Sequence, residues 1–420
     1  MDRRRLLEWG KTLLIVLLAV SAARLSMAAG LFSFPLDGSG IASTGEDNLS
    51  VSYRRELAAR PLTMMITATE NAHHGIKYSS EALSEVYSWF SASLGEALGS
   101  SGEPAEVTPE KWREALHGPG VFFDYLYEQS LSAIAGWLGV DISSEVSLHT
   151  SRRFCLAVEN ERVYLYYIRD LDGKAYRCET ALNSGRLLER MAGYVPNGAL
   201  FAFEGGEEYE LIDPYYCILP ELAAVPVLTA SNPLQGEDGS SLLSQFGMNP
   251  MVATRYPESD GTQVYVEGDQ TLRLYSDGRV LYSLLRSEEK DERTVSTSWA
   301  INRAFALAMS MPGAEDRTLQ MSAISYDQDE DEYTVRFEYT VNAMVVCYGG
   351  RAGAMEIILD GSGELCRADL MCRSYTTQSS ELPMPEEQAL AVVEVLGGGE
   401  PMLCYADNGE SVENAWVIKR

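Results

Sequence analysis

Four acidic residues with the spacing of a calcium-binding loop are the first candidates for chemistry. The carboxylates at positions 1, 3, 5 and 12 of such a loop would be Asp327, Asp329, Asp331 and Glu338. The sixth position, where the loop needs glycine for a sharp turn, is Glu332. The residues that follow alternate as a strand, and no exiting helix is indicated. We therefore predict the tip of a β-hairpin here.

The four histidines are the next candidate ligands. His73 and His74 are adjacent, so their side chains point apart on a regular element, and no cysteine or acidic cluster lies near them in sequence. His117 and His149 are far away along the chain. We predict no metal site and no cofactor. A Ser-His-Asp triad of dispersed residues stays open, but no G-x-S-x-G elbow, P-loop or G-x-G-x-x-G motif is present.

Seven cysteines are present, an odd number, and none are paired as C-x-x-C. Several lie in apolar, strand-like runs, as Cys155, Cys347 and Cys404 do. We predict that they are small buried hydrophobic residues. In an exported protein, unpaired cysteines would suggest a reducing or anaerobic setting, or a host that does not rely on disulfides.

The charge of the chain limits its partners. The formal net charge is −28, which repels nucleic acid and anionic lipid, so we expect no nucleic-acid partner. With 46% hydrophobic and 22% charged residues over 420 positions, the chain is long and apolar enough for two to four folded domains.

The N-terminus predicts the location of the protein. Basic residues from Arg3 to Lys11 precede an apolar run, Thr12 to Ala23, and after Arg24 the residues to Phe34 are again apolar or small. This order predicts a single-pass anchor in the cell membrane, with a cytoplasmic N-terminus and the bulk extracytoplasmic. The apolar core of about 12 residues spans only ~18 Å, against a hydrocarbon layer of ~30 Å, so the flanking basic side chains would have to extend outwards.

Two alternatives to the anchor stay open. The segment could be a signal peptide that is cleaved after Ala22, or a buried helix of a cytosolic protein. If it is an anchor, one helical face could contact a partner helix, with a serine as the small residue that permits close approach. That face consists of Leu14, Leu17, Leu18, Ser21 and Leu25.

Turn-rich stretches divide the rest of the chain. We predict a basic flank and transmembrane anchor at 1–34, a linker at 35–48, an N-terminal α+β domain at 49–147, a strand-rich middle domain at 148–240 and a C-terminal α+β domain at 241–420. The fold class is α+β: an N-terminal transmembrane helix, then a multi-domain ectodomain of antiparallel sheets with packed helices.

Helix signals are clearest at four places. Apolar periodicity predicts helices over 79–98, from a cap at Ser79 or Ser80, and over 296–309. Thr108 before Pro109 marks another helix start, and Pro385 opens a last helix over 386–395. Paired strand patterns predict hairpins at 154–180, 319–341 and 355–371, and a meander over 262–285.

The stretch from Asn249 to Tyr282, NPMVATRYPESDGTQVYVEGDQTLRLYSDGRVLY, resembles the signature region of the YycH/YycI group. The shared features are an early Asn-Pro, an Arg-Tyr, an S-D-G-T turn and the T-L-R-L-Y-x-D-G-R-V-x-Y meander. The closing strand, Asn414 to Ile418, fits as well. The additional first domain makes the chain more similar to the YycH-like members of the group than to the shorter YycI-like members. The acidic charge, the seven cysteines and Arg24 depart from what the group leads us to expect.

The resemblance implies a membrane-anchored, extracytoplasmic protein of Gram-positive bacteria that is not an enzyme and has no cofactor. It implies a regulator that modulates the cell-wall sensor histidine kinase of the WalK type. The regulator would act together with a YycI-like counterpart, through membrane helices and ectodomains.

Two other hypotheses remain open. One is an exported ligand-binding ectodomain that uses a groove lined by tyrosine-rich strand edges. The other is a secreted hydrolase with a dispersed active site, which would require a deep cleft holding a perturbed histidine or a carboxylate pair.

Overall fold

The computed structural model describes residues 59–169, 171–236, 239–285, 294–313, 318–349, 351, 353–409 and 411–419. The predicted anchor and linker, residues 1–48, lie outside this part of the chain. Within the part that is described, no helix is both long enough and apolar enough to cross a membrane.

The first half of the chain contains both strands and helices. Its strands are β1 (Thr63–Thr69), β2 (Ala72–Lys77), β3 (Ala105–Val107), β4 (Gly120–Ser130), β5 (Thr150–Glu159), β6 (Arg162–Arg169), β7 (Lys174–Glu179), β8 (Leu200–Phe201), β9 (Cys217–Ile218) and β10 (Val225–Ser231). Its helices are α1 (Ser80–Gly99), α2 (Pro109–His117), α3 (Leu131–Trp137), α4 (Ser144–Ser147) and α5 (Ser184–Met191).

The second half is richer in strands. These are β11 (Thr254–Pro257), β12 (Gln263–Glu267), β13 (Gln270–Leu274), β14 (Arg279–Leu284), β15 (Thr318–Asp327), β16 (Glu332–Val341), β17 (Met344–Tyr348), β18 (Met355–Asp360), β19 (Leu365–Met371), β20 (Ser374–Glu381), β21 (Glu400–Asp407) and β22 (Val412–Lys419). The helices are α6 (Ser240–Leu243), α7 (Thr297–Met309) and α8 (Glu386–Val395).

A seven-stranded antiparallel sheet holds the first half together, in the order β2-β1-β4-β5-β6-β7-β3. Alternate residues of a strand point to opposite sides of a sheet, and here the residues on both sides are packed against other elements. Met64 and Ile66 of β1 pack in the core beneath α1, whereas Met65 packs with Trp112 of α2 on the other face. The predicted boundary between residues 147 and 148 falls between β4 and β5, which pair within this sheet.

The two helices on this sheet begin where the sequence predicts. The Ser79 side chain accepts a hydrogen bond from the backbone N–H of Ala82 and caps α1. The Thr108 side chain accepts one from the backbone N–H of Lys111, with Pro109 in the first turn of α2. Local capping chemistry therefore sets both starts.

An eleven-stranded sheet forms the second half, in the order β11-β12-β13-β14-β19-β18-β16-β17-β21-β22, with β15 paired to β16. Helix α7 lies on it, and Phe305 contacts Phe337 of β16 with ring centroids 6.0 Å apart. Among the described residues of this sheet, the pairing of β17 with β21 is parallel, whereas the other ladders are antiparallel. The predicted class of α+β with antiparallel sheets and packed helices is confirmed for the described residues.

The two halves share packing. Val345 and Cys404, from β17 and β21, lie in the same hydrophobic cluster as Ile66 and Phe123 of the first sheet. The described residues, which run with gaps from Ala59 to Lys419, lie within one compact unit. The division of this unit at 147/148 and 240/241 stays a prediction.

Candidate functional site

The residues predicted to face a partner helix, Leu14, Leu17, Leu18, Ser21 and Leu25, lie outside the described residues, so that interface stays a prediction. The acidic hairpin tip is where the sequence places it. Oδ1 of Asp327 accepts hydrogen bonds from the backbone N–H groups of Asp329 and Glu330, and Glu338 is buried on β16 away from that tip.

His73 lies on β2, an edge strand that the sequence pattern does not predict. The turn from β1 to β2 places Asn71 in the left-handed region, with φ 58°, which asparagine tolerates better than most residues. His73 then points inward, with a side chain that is 2% exposed, while His74 is half-buried. Directly across the ladder, Oγ1 of Thr67 is 2.7 Å from Nδ1 of His73.

Glu204 reaches the other ring nitrogen of His73. It ends the short 3₁₀ turn Ala202–Glu204 after β8, and its Oε2 accepts a 2.7 Å hydrogen bond from the backbone N–H of Phe201. Its Oε1 is 3.0 Å from Nε2 of His73. The turn is tied to β2 because His73 and Ala199 form an isolated antiparallel bridge.

His117 completes the cluster from the end of α2. Its backbone carbonyl accepts a 3.0 Å hydrogen bond from the N–H of Asn71, which fixes the helix end against the turn from β1 to β2. Its Nδ1 lies 3.0 Å from Oε1 of Glu204. That nitrogen is buried, but it is not aligned for a hydrogen bond with the carboxylate.

Aromatic rings fix both imidazoles. The His73 ring meets Phe201 edge-on at 5.4 Å between centroids, and the His117 ring meets Phe203 edge-on at 5.1 Å. Burial alone would raise the pKa of Glu204. Hydrogen bonds from His73 and from the Phe201 N–H, with the nearby histidines, outweigh burial and lower that pKa. Glu204 is therefore ionised at neutral pH.

The ligand atoms of His73, His117 and Glu204 all lie within 4.8 Å of one another. Two imidazole nitrogens and one carboxylate oxygen are a donor set that zinc uses in proteins. His117 and Glu204, 44 and 131 positions away along the chain, reach His73 through the fold, so their distance in sequence does not exclude a metal site. We call these three residues the His73 cluster.

A second group of polar side chains is buried around Lys77, which follows His73 on the same strand, β2. Nζ of Lys77 donates hydrogen bonds to Tyr216, to the carbonyl of Cys217 and to Glu386 of α8. Glu386 also accepts a 2.9 Å hydrogen bond from the backbone N–H of Leu219. Each charge is paired, so this group binds α8 to the first sheet.

A third group joins the first sheet to β21. Arg152 donates from Nε to Oδ1 of Asp124 at 2.7 Å and from a guanidinium nitrogen to Oε2 of Glu400 at 2.5 Å. Arg153 adds a bond to Oδ2 of Asp124 at 3.1 Å and an ion pair to Asp213 at 2.8 Å. These paired charges hold elements together, and they were not predicted from the sequence.

Comparison with known proteins bears on the fold. No family model matches the sequence, and no curated protein is similar to it in sequence. Among solved structures, the crystal structure of YycH from Bacillus subtilis is similar, with a TM-score of 0.57 and 11% sequence identity. The similarity covers 87% of this chain and 94% of that one. The chain has a YycH-like fold.

Proposed function

We propose that this protein is a regulatory protein without enzymatic activity that works through contacts with other proteins. The observation that carries the proposal is the YycH-like fold, which extends over 87% of this chain and 94% of the YycH chain. Similarity over nearly the whole length of both chains favours a shared mode of action over reuse of a single module, although fold alone does not determine function.

The stretch that resembles the YycH/YycI group supports the same proposal. It folds as β11, β12, β13 and the first part of β14, a continuous antiparallel meander. Gly278, with φ 93°, makes the turn between the last two strands, where a side chain would collide with the carbonyl of Cys372. β11 is the edge strand and its residues are exposed, so this end of the sheet is accessible to a partner.

We further propose that residues 1–34 anchor the protein in the cell membrane and leave the rest extracytoplasmic. The partner would be a sensor histidine kinase of the WalK type, together with a YycI-like counterpart. Support comes from the basic-then-apolar order of the N-terminus and from the family resemblance.

Co-purification from detergent-solubilised membranes tests this proposal. Full-length protein is compared with a version that lacks Met1 to Phe32. Recovery of a sensor kinase only with the intact segment would support contact in the membrane, and recovery with both would move the contact to the folded part. Recovery with neither, from membranes shown to contain the kinase, would reject the proposal.

A matched pair of substitutions tests the predicted helix face. Ser21→Ile places a large side chain on the face of Leu14, Leu17, Leu18 and Leu25, whereas Ala23→Ile places the same side chain on the opposite face. We expect Ser21→Ile to reduce recovery of the kinase and Ala23→Ile to leave it unchanged. Equal recovery with both variants would contradict a contact through this face.

A further inference from the structure

We propose that His73, His117 and Glu204 form a binding site for one divalent transition-metal ion of the zinc class. This site is separate from the proposed regulatory contacts and does not depend on them. Its three ligands come from β2, the end of α2 and the turn after β8.

The donor set selects the class of ion. Two imidazole nitrogens and one carboxylate oxygen suit Zn²⁺ and its first-row neighbours, and in such sites a water completes the coordination. Ca²⁺ and Mg²⁺ require more oxygen ligands than this cluster offers. The two nitrogens each lie 3.0 Å from Oε1 of Glu204, which is close to the ~3.3 Å between ligands at tetrahedral zinc with bonds of about 2.0 Å.

Thr67 orients the first imidazole for this purpose. In the metal-bound state, Nδ1–H of His73 would donate to Oγ1 of Thr67, and Nε2, without its proton, would offer its lone pair to the ion beside Glu204. A second partner that fixes the ring and its tautomer is what metal-ligating histidines ordinarily have. Glu204 is fixed in the same way, since its Oε2 accepts the backbone N–H of Phe201.

A metal ion accounts for His117 better than a proton does. A proton between Nε2 of His73 and Oε1 of Glu204 would satisfy that pair alone. Nδ1 of His117 is buried, close to the same oxygen, and not aligned with it for a hydrogen bond. An ion placed among the three atoms would accept the lone pair of each, because metal bonds do not need N–H and carboxylate to be collinear.

The backbone around the cluster limits its movement. The carbonyl of His117 is bonded to the N–H of Asn71, and His73 bridges Ala199. Gly75 lies so close to the same segment that an added Cβ would be 2.6 Å from Cβ of Ala199. Ligands on elements tied in this way are preorganised, which lowers the entropic cost of binding an ion.

Solvent reaches the cluster from one side. The side chain of His73 is 2% exposed, that of Glu204 is 15% exposed and that of His117 is 35% exposed. An ion can therefore enter past His117, and a water ligand can occupy that side. His117 is also the ligand whose removal should disturb the fold least.

Cobalt binding to the full-length, chelator-treated protein in detergent tests the proposal. Co²⁺ replaces zinc and reports its ligands through visible absorption, and Zn²⁺ is then added to displace it. We expect one Co²⁺ per chain, visible bands of a nitrogen and oxygen site without thiolate charge transfer, and displacement by Zn²⁺. His117→Ala and Glu204→Gln should each weaken binding at least ten-fold, and His74→Ala should leave it unchanged.

Thr67 supplies a second test that loss of structure would not imitate. We expect Thr67→Val to weaken cobalt binding by about ten-fold and Thr67→Ser, which restores the hydroxyl, to return it to the original value. Circular dichroism of each variant checks that it is folded. Affinity that is equal in wild type, His117→Ala and Glu204→Gln would overturn the proposal, as would binding with thiolate charge transfer or no binding at one ion per chain.

Discussion

Lys77 on β2 and Glu386 on α8 form a buried ion pair between residues that are 309 positions apart in sequence, and each side chain is 1% exposed. Removing one member leaves the other charge in the interior without its partner. We expect Glu386→Ala to lower the free energy of unfolding by about 3–5 kcal/mol. Urea denaturation measures this, with Glu387→Ala, an exposed neighbour on the same helix, as the control. Equal effects of the two changes would contradict it.

The ion pair of Lys77 and Glu386 also predicts that the folded state loses stability at alkaline pH. Burial lowers the pKa of Lys77, but the charge of Glu386, the hydrogen bond to it and the nearby Tyr78 and Cys217 together outweigh burial and raise that pKa above its usual 10.5. A lysine whose pKa is raised by folding stabilises the folded state below pH 10.5 and loses that contribution as the pH rises through the folded-state value. The double variant Lys77→Met/Glu386→Leu should recover much of the stability lost in Glu386→Ala and should lack this alkaline loss.

Glu338 predicts a second dependence of stability on pH, which comes from the burial of its carboxyl group. Burial on β16 raises its pKa to about 7, despite hydrogen bonds from the N–H of Ala354 and from Ser322. The folded state then holds a proton that the unfolded state releases near pH 4.5, so stability falls as the pH rises from about 4.5 through 7. We expect Glu338→Gln to remove up to about 3 kcal/mol of this change. Urea midpoints at pH 5 and pH 8 measure it. A pH dependence that is the same in the variant and in wild type would contradict the assignment.

Glu400 predicts a loss of stability at acid pH. Burial would raise its pKa, but the charge of Arg152, the hydrogen bond from Arg152 and the charge of Arg153 together outweigh burial and lower that pKa to about 2. This contribution to stability is present above pH 4.5 and is lost as the pH falls towards 2. We expect Arg152→Met to destabilise the protein at pH 7 and to flatten the fall in stability between pH 5 and pH 3. Thermal unfolding over that range is the measurement, and a slope equal to that of wild type would speak against the pairing.

Gly120 marks a close backbone approach within the first sheet. A Cβ at this position would lie 2.7 Å from the carbonyl oxygen of Leu156 on β5. Backbone cannot move aside as a side chain can, so we expect Gly120→Ala to cost on the order of 1–3 kcal/mol of unfolding free energy. Gly136→Ala on α3 is the control, because nothing lies within 4 Å of its Cβ position. It should be neutral or stabilise by about 0.4–1 kcal/mol.

Cys347 is the cysteine we expect to react first. It is half-buried while the other six cysteines are buried, and a hydrogen bond from the Cys404 thiol lowers its pKa. Alkylation followed by mass spectrometry should label Cys347 ahead of the others at pH 8. Cys404→Ala should slow this labelling and Cys366→Ala should not. Labelling of several cysteines at one rate would contradict the prediction.

Local signals were enough for the two longest helices of the second half, α7 and α8. The helix predicted over 386–395 is α8, and the one predicted over 296–309 begins one residue later, at Thr297. Capping residues and apolar periodicity lie within a few positions of one another, so these elements can be recognised from one stretch of sequence. The predicted hairpin at 319–341 is confirmed as β15 and β16 for the same reason.

Long-range pairing could not be predicted in this way. β2, with two histidines and a glycine, carries weak strand propensity and is held by its ladder with β1. The parallel pairing of β17 with β21 has no connecting turn that the sequence could indicate, because three strands, β18 to β20, and helix α8 lie between them. To predict the His73 cluster, one would need both the local elements and the long-range pairing that brings them together. Its one local signal is Glu204, an acid that directly follows the apolar run Leu200 to Phe203.

Strand β21 and helix α8 lie near the C-terminus and contact the first sheet, so they limit how far that sheet can fold during synthesis. While the ribosome is still making the chain, Lys77 has no Glu386, Arg152 has no Glu400, and the core beneath α1 lacks Cys404. The first sheet therefore cannot reach its final packing until almost the whole chain has been synthesised. During that interval its apolar surface needs protection from aggregation. A chain cut short before α8 should be a client of chaperones and proteases, even though the strands of its first sheet are all present.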